Sequence, residues 1–423
     1  MKQLSGLISH LLLILLVGVL FTTMPVKMIP FQFSSGLIKY PLFSYAQLSP
    51  VYLIWVTCWI AGAAGLRFAI PKHTEWILIG TIVGILAPLS PPLLIYLVAV
   101  PIIVFHIGRN RLTPQWHWPV IWGVWGLSTI IIPWTALVWH PEWDFIRLFF
   151  LHTTGFRTGP YLYDTIDRGH RFSLKETLIY FLFPGNFLVI PTWIVWPFPS
   201  ECKLIRHRDP VAERSIPQYI IGLTCLMTVW GINSAAIRLT GHPVGTTIAD
   251  WTLVGTFSRI IESLTRIIYY YFVATIGMSI AQTLGYRFEK PAFNHPWKTQ
   301  NPYDFWNRFL IHTKDVYLKL FLQPMELIFR HIGIRSIKVR FGLAIMVSFF
   351  VIEIPIHFFA VYDHSMLHFP LQLWQWYFFL LGTFGLYWVG RTLIHPKIRA
   401  WAHHPVGHRA ISIFWITLFL MAV

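Results

Sequence analysis

The sequence predicts an all-α polytopic membrane protein of about 10–11 transmembrane helices, with re-entrant or oblique helices among them, forming a single integral membrane domain over residues 1–423. Three observations predict it. Charged residues make up 12% of the 423-residue chain, about half the fraction usual in a soluble domain, while 55% is hydrophobic and 17% aromatic. Apolar runs are continuous rather than alternating, and a run of roughly 18 apolar residues reads as a membrane span. The basic residues collect in the breaks between runs.

The opening stretch MKQLSGLISHLLLILLVGVLFTT has a short basic start, a long apolar run and no small-x-small cleavage site, and is expected to be a first span rather than a signal peptide. Further spans are expected at about 51–70, 76–89, 91–107 and 117–139, the N-terminal helices of residues 1–140. The third and fourth are short and separated by LSPP (89–92), as in a tight hairpin or two tilted helices. The remaining spans are expected near 173–198, 217–238, 264–286, 341–362, 371–391 and 410–423. With a cytoplasmic N-terminus, the Arg67/Lys72 loop, RNR (109–111), 203–214, 287–340 and 391–409 all fall inside, and the Lys/Arg-free loop 363–370 falls outside. Residues 141–176, with five basic and five acidic side chains, then lie outside, along the surface.

The net charge of +16 is accounted for by basic inner loops, so no nucleic-acid partner is implied. Cys58, Cys202 and Cys225 have neither metal-ligand spacing nor an even count for disulfides and are expected to be packing residues. His364, His368 and Asp363 are spaced as short loops often are by accident, and no metal is expected. Residues 287–340 break the helix-loop-helix pattern: ten Lys/Arg and four Asp/Glu are interleaved with many aromatic residues. That is too aromatic for a solvated loop and too charged for a span. It fits an interfacial or re-entrant segment on the cytoplasmic side.

An ionisable side chain within a span is costly and usually faces a cavity or a partner. FFVIEIPIHFFAV (349–361) carries two, Glu353 and His357, on one helical face one turn apart. The pair reads either as an oriented general base or as a buried pair that ties helices together.

LGYR (284–287), FNHPW (293–297), DFWNRFLIH (304–312), the Pro324 of LFLQP and YFLFPGNFLVIPTW (180–193) follow one another in an order that resembles the membrane-bound O-acyltransferase family, in its bacterial branch acting on cell-envelope polymers of the alginate or teichoic-acid type. The resemblance covers about 173–391 as a core. It departs at Phe309-Leu310, where the family has a second polar residue, at YYYFVATIG (269–277), and at EIPIHFF around the histidine. The resemblance implies transfer of an acyl group from a cytoplasmic thioester (acyl-CoA or an acyl-carrier protein) to a hydroxyl of an extracytoplasmic glycan, polymer or lipid. It implies His357 as catalytic base with Glu353 beside it, His312, Asn307, Asp304 and Trp306 as accessory residues, and Arg308 and Lys314 on the donor side. It further implies membrane lipids and an acyl-carrier or periplasmic acyltransferase as partners, no permanently bound cofactor, and residence in the inner membrane with a cytoplasmic N-terminus. At 1.5 Å per residue, His357 stands roughly 24 Å along its helix from Phe341, nearer the outer face. The competing expectation is a catalytically inactive subunit of the same architecture that binds lipid or a partner complex.

Overall fold

The computed structural model describes residues 8–9, 11–16, 50–89, 91–139, 145–182, 197–204, 211–240, 268, 271, 274–295, 307–308, 311–337, 339–345 and 347–348. These are predominantly helical. The helices are α1 (Pro50–Ala69), α2 (Thr74–Leu86), α3 (Pro91–Arg109), α4 (Pro114–Gly126), α5 (Ile132–Trp139), α6 (Phe145–Leu162), α7 (Leu174–Phe181), α8 (Val211–Thr240), α9 (Ile311–Val316) and α10 (Gln323–His331). Residues 274–283 are helical as well. Wide π turns join α4 to α5 (Leu127–Ile131), extend α6 (Tyr163–Asp167) and join α9 to α10 (Tyr317–Leu322). Two three-residue strands, β1 (Cys202–Leu204) and β2 (Tyr286–Phe288), pair antiparallel with Lys203 opposite Arg287.

Among the described residues one helix, α3, is long and apolar enough to cross a membrane. Helix α2, with 13 residues, rises only about 20 Å and falls short of a hydrocarbon core of roughly 30 Å. LSPP marks the break between α2 and α3, whose first residue is Pro91, where a missing N–H costs nothing. The expected spans at 371–391 and 410–423, most of that at 341–362 and the first part of that at 264–286 lie outside the described residues.

The structure corrects the surface placement for residues 151–165, whose described side chains are buried, whereas most of 167–176 is exposed. Helix α6 is the centre of the body, packed on α3, α4, α5 and the π turn between α4 and α5. Phe156, Tyr161, Leu162, Thr158 and Asp164 are all buried. Its polar residues are satisfied internally rather than by water. Ser128 Oγ and Thr158 Oγ1 lie 2.9 Å apart, Tyr161 OH meets Thr177 Oγ1 at 2.8 Å, and Tyr96 OH donates to Ser128 O at 3.0 Å. Close approach requires a glycine at 155, where a Cβ would stand 2.2 Å from the Ser128 carbonyl oxygen. The polarity of 145–165 therefore belongs to an interior network, which patterning alone does not distinguish from a wetted helix.

The turn at LGYR has a specific cause. The helix ending at residue 283 is closed by Gly285, whose N–H reaches Gln282 O at 3.0 Å and whose φ is +104°. A Cβ there would sit 2.5 Å from Arg67 Nε, and Arg67 Nη1 donates to Thr283 O at 3.0 Å. Gly285→Ala is expected to cost about 1–2 kcal/mol, from the left-handed backbone and the displaced guanidinium together. A thermal midpoint in detergent equal to wild type would disprove that account.

Candidate functional site

Pairing of β1 with β2 brings the PSECKL turn (199–204) beside the residues that follow Gly285, and Glu289 N donates to Glu201 O at 3.0 Å. Helix α9 is drawn to the same place by Ile311 N, which donates to Ala292 O at 2.9 Å, while Asn294 N donates to Arg308 O at 2.8 Å. The segment after Gly285 is thereby folded into the body: Ala292, His312, Asp315, Val316, Leu320 and Phe321 are buried, and Trp122 Nε1 donates to Leu320 O at 2.8 Å.

These contacts assemble an ionic cluster. Glu201 Oε1 accepts from Lys319 Nζ at 2.8 Å and from Lys290 Nζ at 3.2 Å, and Lys290 also bonds Asp315. Lys314 reaches Asp315 Oδ1 at 3.4 Å and Asn307 Oδ1 at 3.2 Å, and Lys319 lies 4.3 Å over the Phe198 ring. Burial pushes the Glu201 carboxyl upward, but Lys319 and Lys290 outweigh it and hold the group below the usual carboxylate range. Asp315 is likewise held low, burial being outweighed by Lys290 first. A second pair lies alongside. Asp164 receives the Ser200 N–H at 2.8 Å and pairs with Arg168 at 3.4 Å, and burial still raises its carboxyl above the ordinary value.

His312 lies within this shell with no exposed surface, its ring 6.1 Å from that of Phe288. Neither ring nitrogen makes a well-formed hydrogen bond among the described residues, although the Lys290 backbone lies near enough to favour the protonated ring. Burial lowers its pKa to about 4 against the opposing pull of Glu201 and Asp315, so the imidazole is neutral at physiological pH.

The cluster borders a cleft of about 850 Å³ whose walls include Tyr161, Arg168, Tyr180, Glu201, Lys203, Tyr286, Lys290 and Lys319. Its volume is in the range of roughly 300–1,000 Å³ typical of small-molecule sites. The four Lys/Arg that line it are each paired with an acid: Lys290 and Lys319 with Glu201, Lys203 with Glu289 at 3.0 Å, and Arg168 with Asp164.

Of the residues expected from sequence, Asn307, Lys314 and His312 fall in or beside this cluster. Arg308 Nη1 donates to Asn294 O at 3.5 Å, and neither Arg308 nor Lys314 lines the cleft. His357, Glu353, Asp304, Trp306 and Leu310 lie outside the described residues. Sequence reasoning missed Glu201, Lys290, Asp315 and Lys319. The one local signal was an acid, Glu201, two residues before the basic run KLIRHR. Among the described residues no group of three or more His, Cys, Asp or Glu is arranged to hold a metal ion. No protein-family model matches the chain, and no curated protein sequence matches it.

Proposed function

We propose that the chain is a polytopic membrane O-acyltransferase that moves an acyl group from a cytoplasmic thioester to a hydroxyl on the extracytoplasmic side. The observation that carries this reading is the packing of the segment after Gly285. A plain loop between two lipid-facing helices has no need of a buried histidine, a buried carboxylate and a shared ion-pair cluster. A reaction centre entered from the inner face does. The motif order LGYR, FNHPW, DFWNRFLIH runs through this same segment.

The exposed apolar side chains support a membrane setting. Val51, Trp76, Val83, Ile95, Ile103 and Ile131 are exposed on α1 to α3 and on the π turn after α4, whereas Thr129, Thr158, Asp164, Glu201 and His312 are buried. Exposed apolar residues in such density need a partner, and hydrocarbon provides one for every outer face at once.

In the reaction, a general base takes the proton of the acceptor hydroxyl as its oxygen attacks the thioester carbonyl. The tetrahedral oxyanion then collapses, the C–S bond breaks, and the thiolate leaves and takes up a proton. His357 is the base, with Glu353 holding its tautomer. His312, neutral and buried on the cytoplasmic side of the chain, is an accessory residue rather than the base.

A second reading has its own support. Among the described residues, each Lys or Arg that lines the cleft (Arg168, Lys203, Lys290 and Lys319) is paired with an acid, so none of these four is a spare cation for the phosphates of a carrier arm. That favours a non-catalytic subunit that binds lipid or a partner. A thioester-consumption assay on purified protein, with acyl-CoA and acyl-carrier-protein donors, separates the two. The proposal expects free thiol released above the no-enzyme rate. Release at the background rate with every donor, from protein that unfolds cooperatively, would leave only the second reading.

A further inference from the structure

Helices α1 and α2 pack on each other along an open apolar groove of about 640 Å³. Trp55, Trp59, Leu66, Ile70 and Trp76 form its walls, and Gly62 and Gly80 leave its floor bare. A Cβ added at either glycine would meet nothing within 4 Å, so the space belongs to neither helix. The N–H of Trp55 is spent on Gly84 O at 2.8 Å, and its ring meets that of Trp59 edge-on at 5.9 Å, so this wall presents hydrocarbon. Cys58 is exposed and lines the groove, which departs from the packing role expected for it.

One end is charged. The turn Pro71–His73 carries the exposed Lys72 and His73, and His73 itself lines the groove. Lys175 lies 4.2 Å over the Trp76 ring and pairs with Glu75 at 3.9 Å, which offsets the one acid nearby. On the orientation read from the basic loops this end faces the cytoplasmic leaflet, where anionic lipids are concentrated.

We infer that the α1–α2 groove is a binding site for an anionic phospholipid, with an acyl chain between Trp55, Trp59 and Trp76 and the phosphate at Lys72 and His73. The inference rests on the membrane reading above and is independent of acyl transfer. A second copy of the chain is the other occupant to test. It is disfavoured because the groove is concave, glycine-floored and closed by a cationic end, which suits a slender chain bearing an anion.

The test labels Cys58 with bimane in a Cys202→Ser/Cys225→Ser background. The protein is reconstituted in equal mixtures of phosphatidylcholine and phosphatidylglycerol, with bromine on the acyl chains of one or the other. Stronger quenching is expected when phosphatidylglycerol carries the bromine. Lys72→Gln should reduce that preference roughly five-fold, the share of one cation near an anionic headgroup. Gly80→Leu, whose Cβ enters open space, should weaken quenching by both lipids. Equal quenching by the two lipids, unchanged in Gly80→Leu, would reduce the groove to ordinary bilayer contact and overturn the inference. So would absence of quenching by either lipid in protein that resists alkaline carbonate extraction, since the groove would then be covered by protein. Release by carbonate would overturn the membrane reading itself, and the inference with it.

Discussion

In a His357→Ala variant, acyl transfer is expected to fall by about 10²–10⁴-fold while the protein still folds and inserts. A histidine and a glutamate within an apolar stretch are retained only against a penalty, so they are either paired for structure or exposed to a reacting hydroxyl. Glu353 and His357 are four residues apart in sequence, and at that spacing on a helix the carboxylate would accept from one ring nitrogen and leave the other free to take a proton. On the proposed mechanism, removing the ring removes the base without touching donor or acceptor binding, so the loss should appear in kcat more than in KM. Glu353→Gln should cost less, because a Gln side-chain oxygen still accepts one hydrogen bond. A purely structural pair gives the opposite pattern. Either substitution then strands a buried polar partner at about 1–3 kcal/mol, and activity declines only with the folded fraction. Undiminished turnover in a stable His357→Ala protein would exclude His357 as the base.

What the sequence made legible follows from where its signals are local. Helices α1 and α3 appear as uninterrupted apolar runs, and LSPP and LGYR mark real breaks because proline and glycine act on their own backbone. Gly285 needs its positive φ whatever surrounds it. Helix α6 was misplaced because Thr153, Arg157, Thr158 and Asp164 look like solvent-seeking residues until their partners on other elements are known. Arg157, for one, donates to the Tyr180 carbonyl and stacks 5.3 Å over that ring. The β1–β2 pair is three residues long on each side, too short for alternation to register, and its strands are more than eighty residues apart in the chain. The ion cluster depends on that pairing. Glu201, Lys290, Asp315 and Lys319 come from three separate segments, and no spacing rule connects them.

Replacing Glu201 by glutamine is expected to destabilise the protein by about 2–3 kcal/mol. Two ammonium groups, Lys290 and Lys319, share Glu201 Oε1 at 3.2 and 2.8 Å, and that carboxylate is 8% exposed. Loss of one partner from a buried pair costs about 3–5 kcal/mol. The Lys290 side chain is 41% exposed and keeps Asp315, so water and the second acid recover part of that. Lys319, 17% exposed, keeps only the Phe198 ring among its described contacts and bears most of the loss. Glu201→Gln/Lys319→Met should therefore be more stable than Glu201→Gln alone, whereas independent sites would add their costs. The pH dependence has a definite sign. Glu201 has a lowered folded-state pKa, so its contribution is fully present above the unfolded carboxylate value of about 4.3 and disappears as pH falls through the lower folded value. His312, about 4 when folded against 6.5 when free, makes wild type and variant alike lose stability as pH falls below about 6.5; loss of the Glu201 charge lowers it further, so from pH 7 to 5 it is neutral in both folded proteins and leaves their difference unchanged. The gap in thermal midpoint between wild type and Glu201→Gln should hold from pH 7 to 5 and close only below about pH 4. A gap that closed between pH 7 and 5 would mean that Glu201 is not the carboxylate that binds the two lysines.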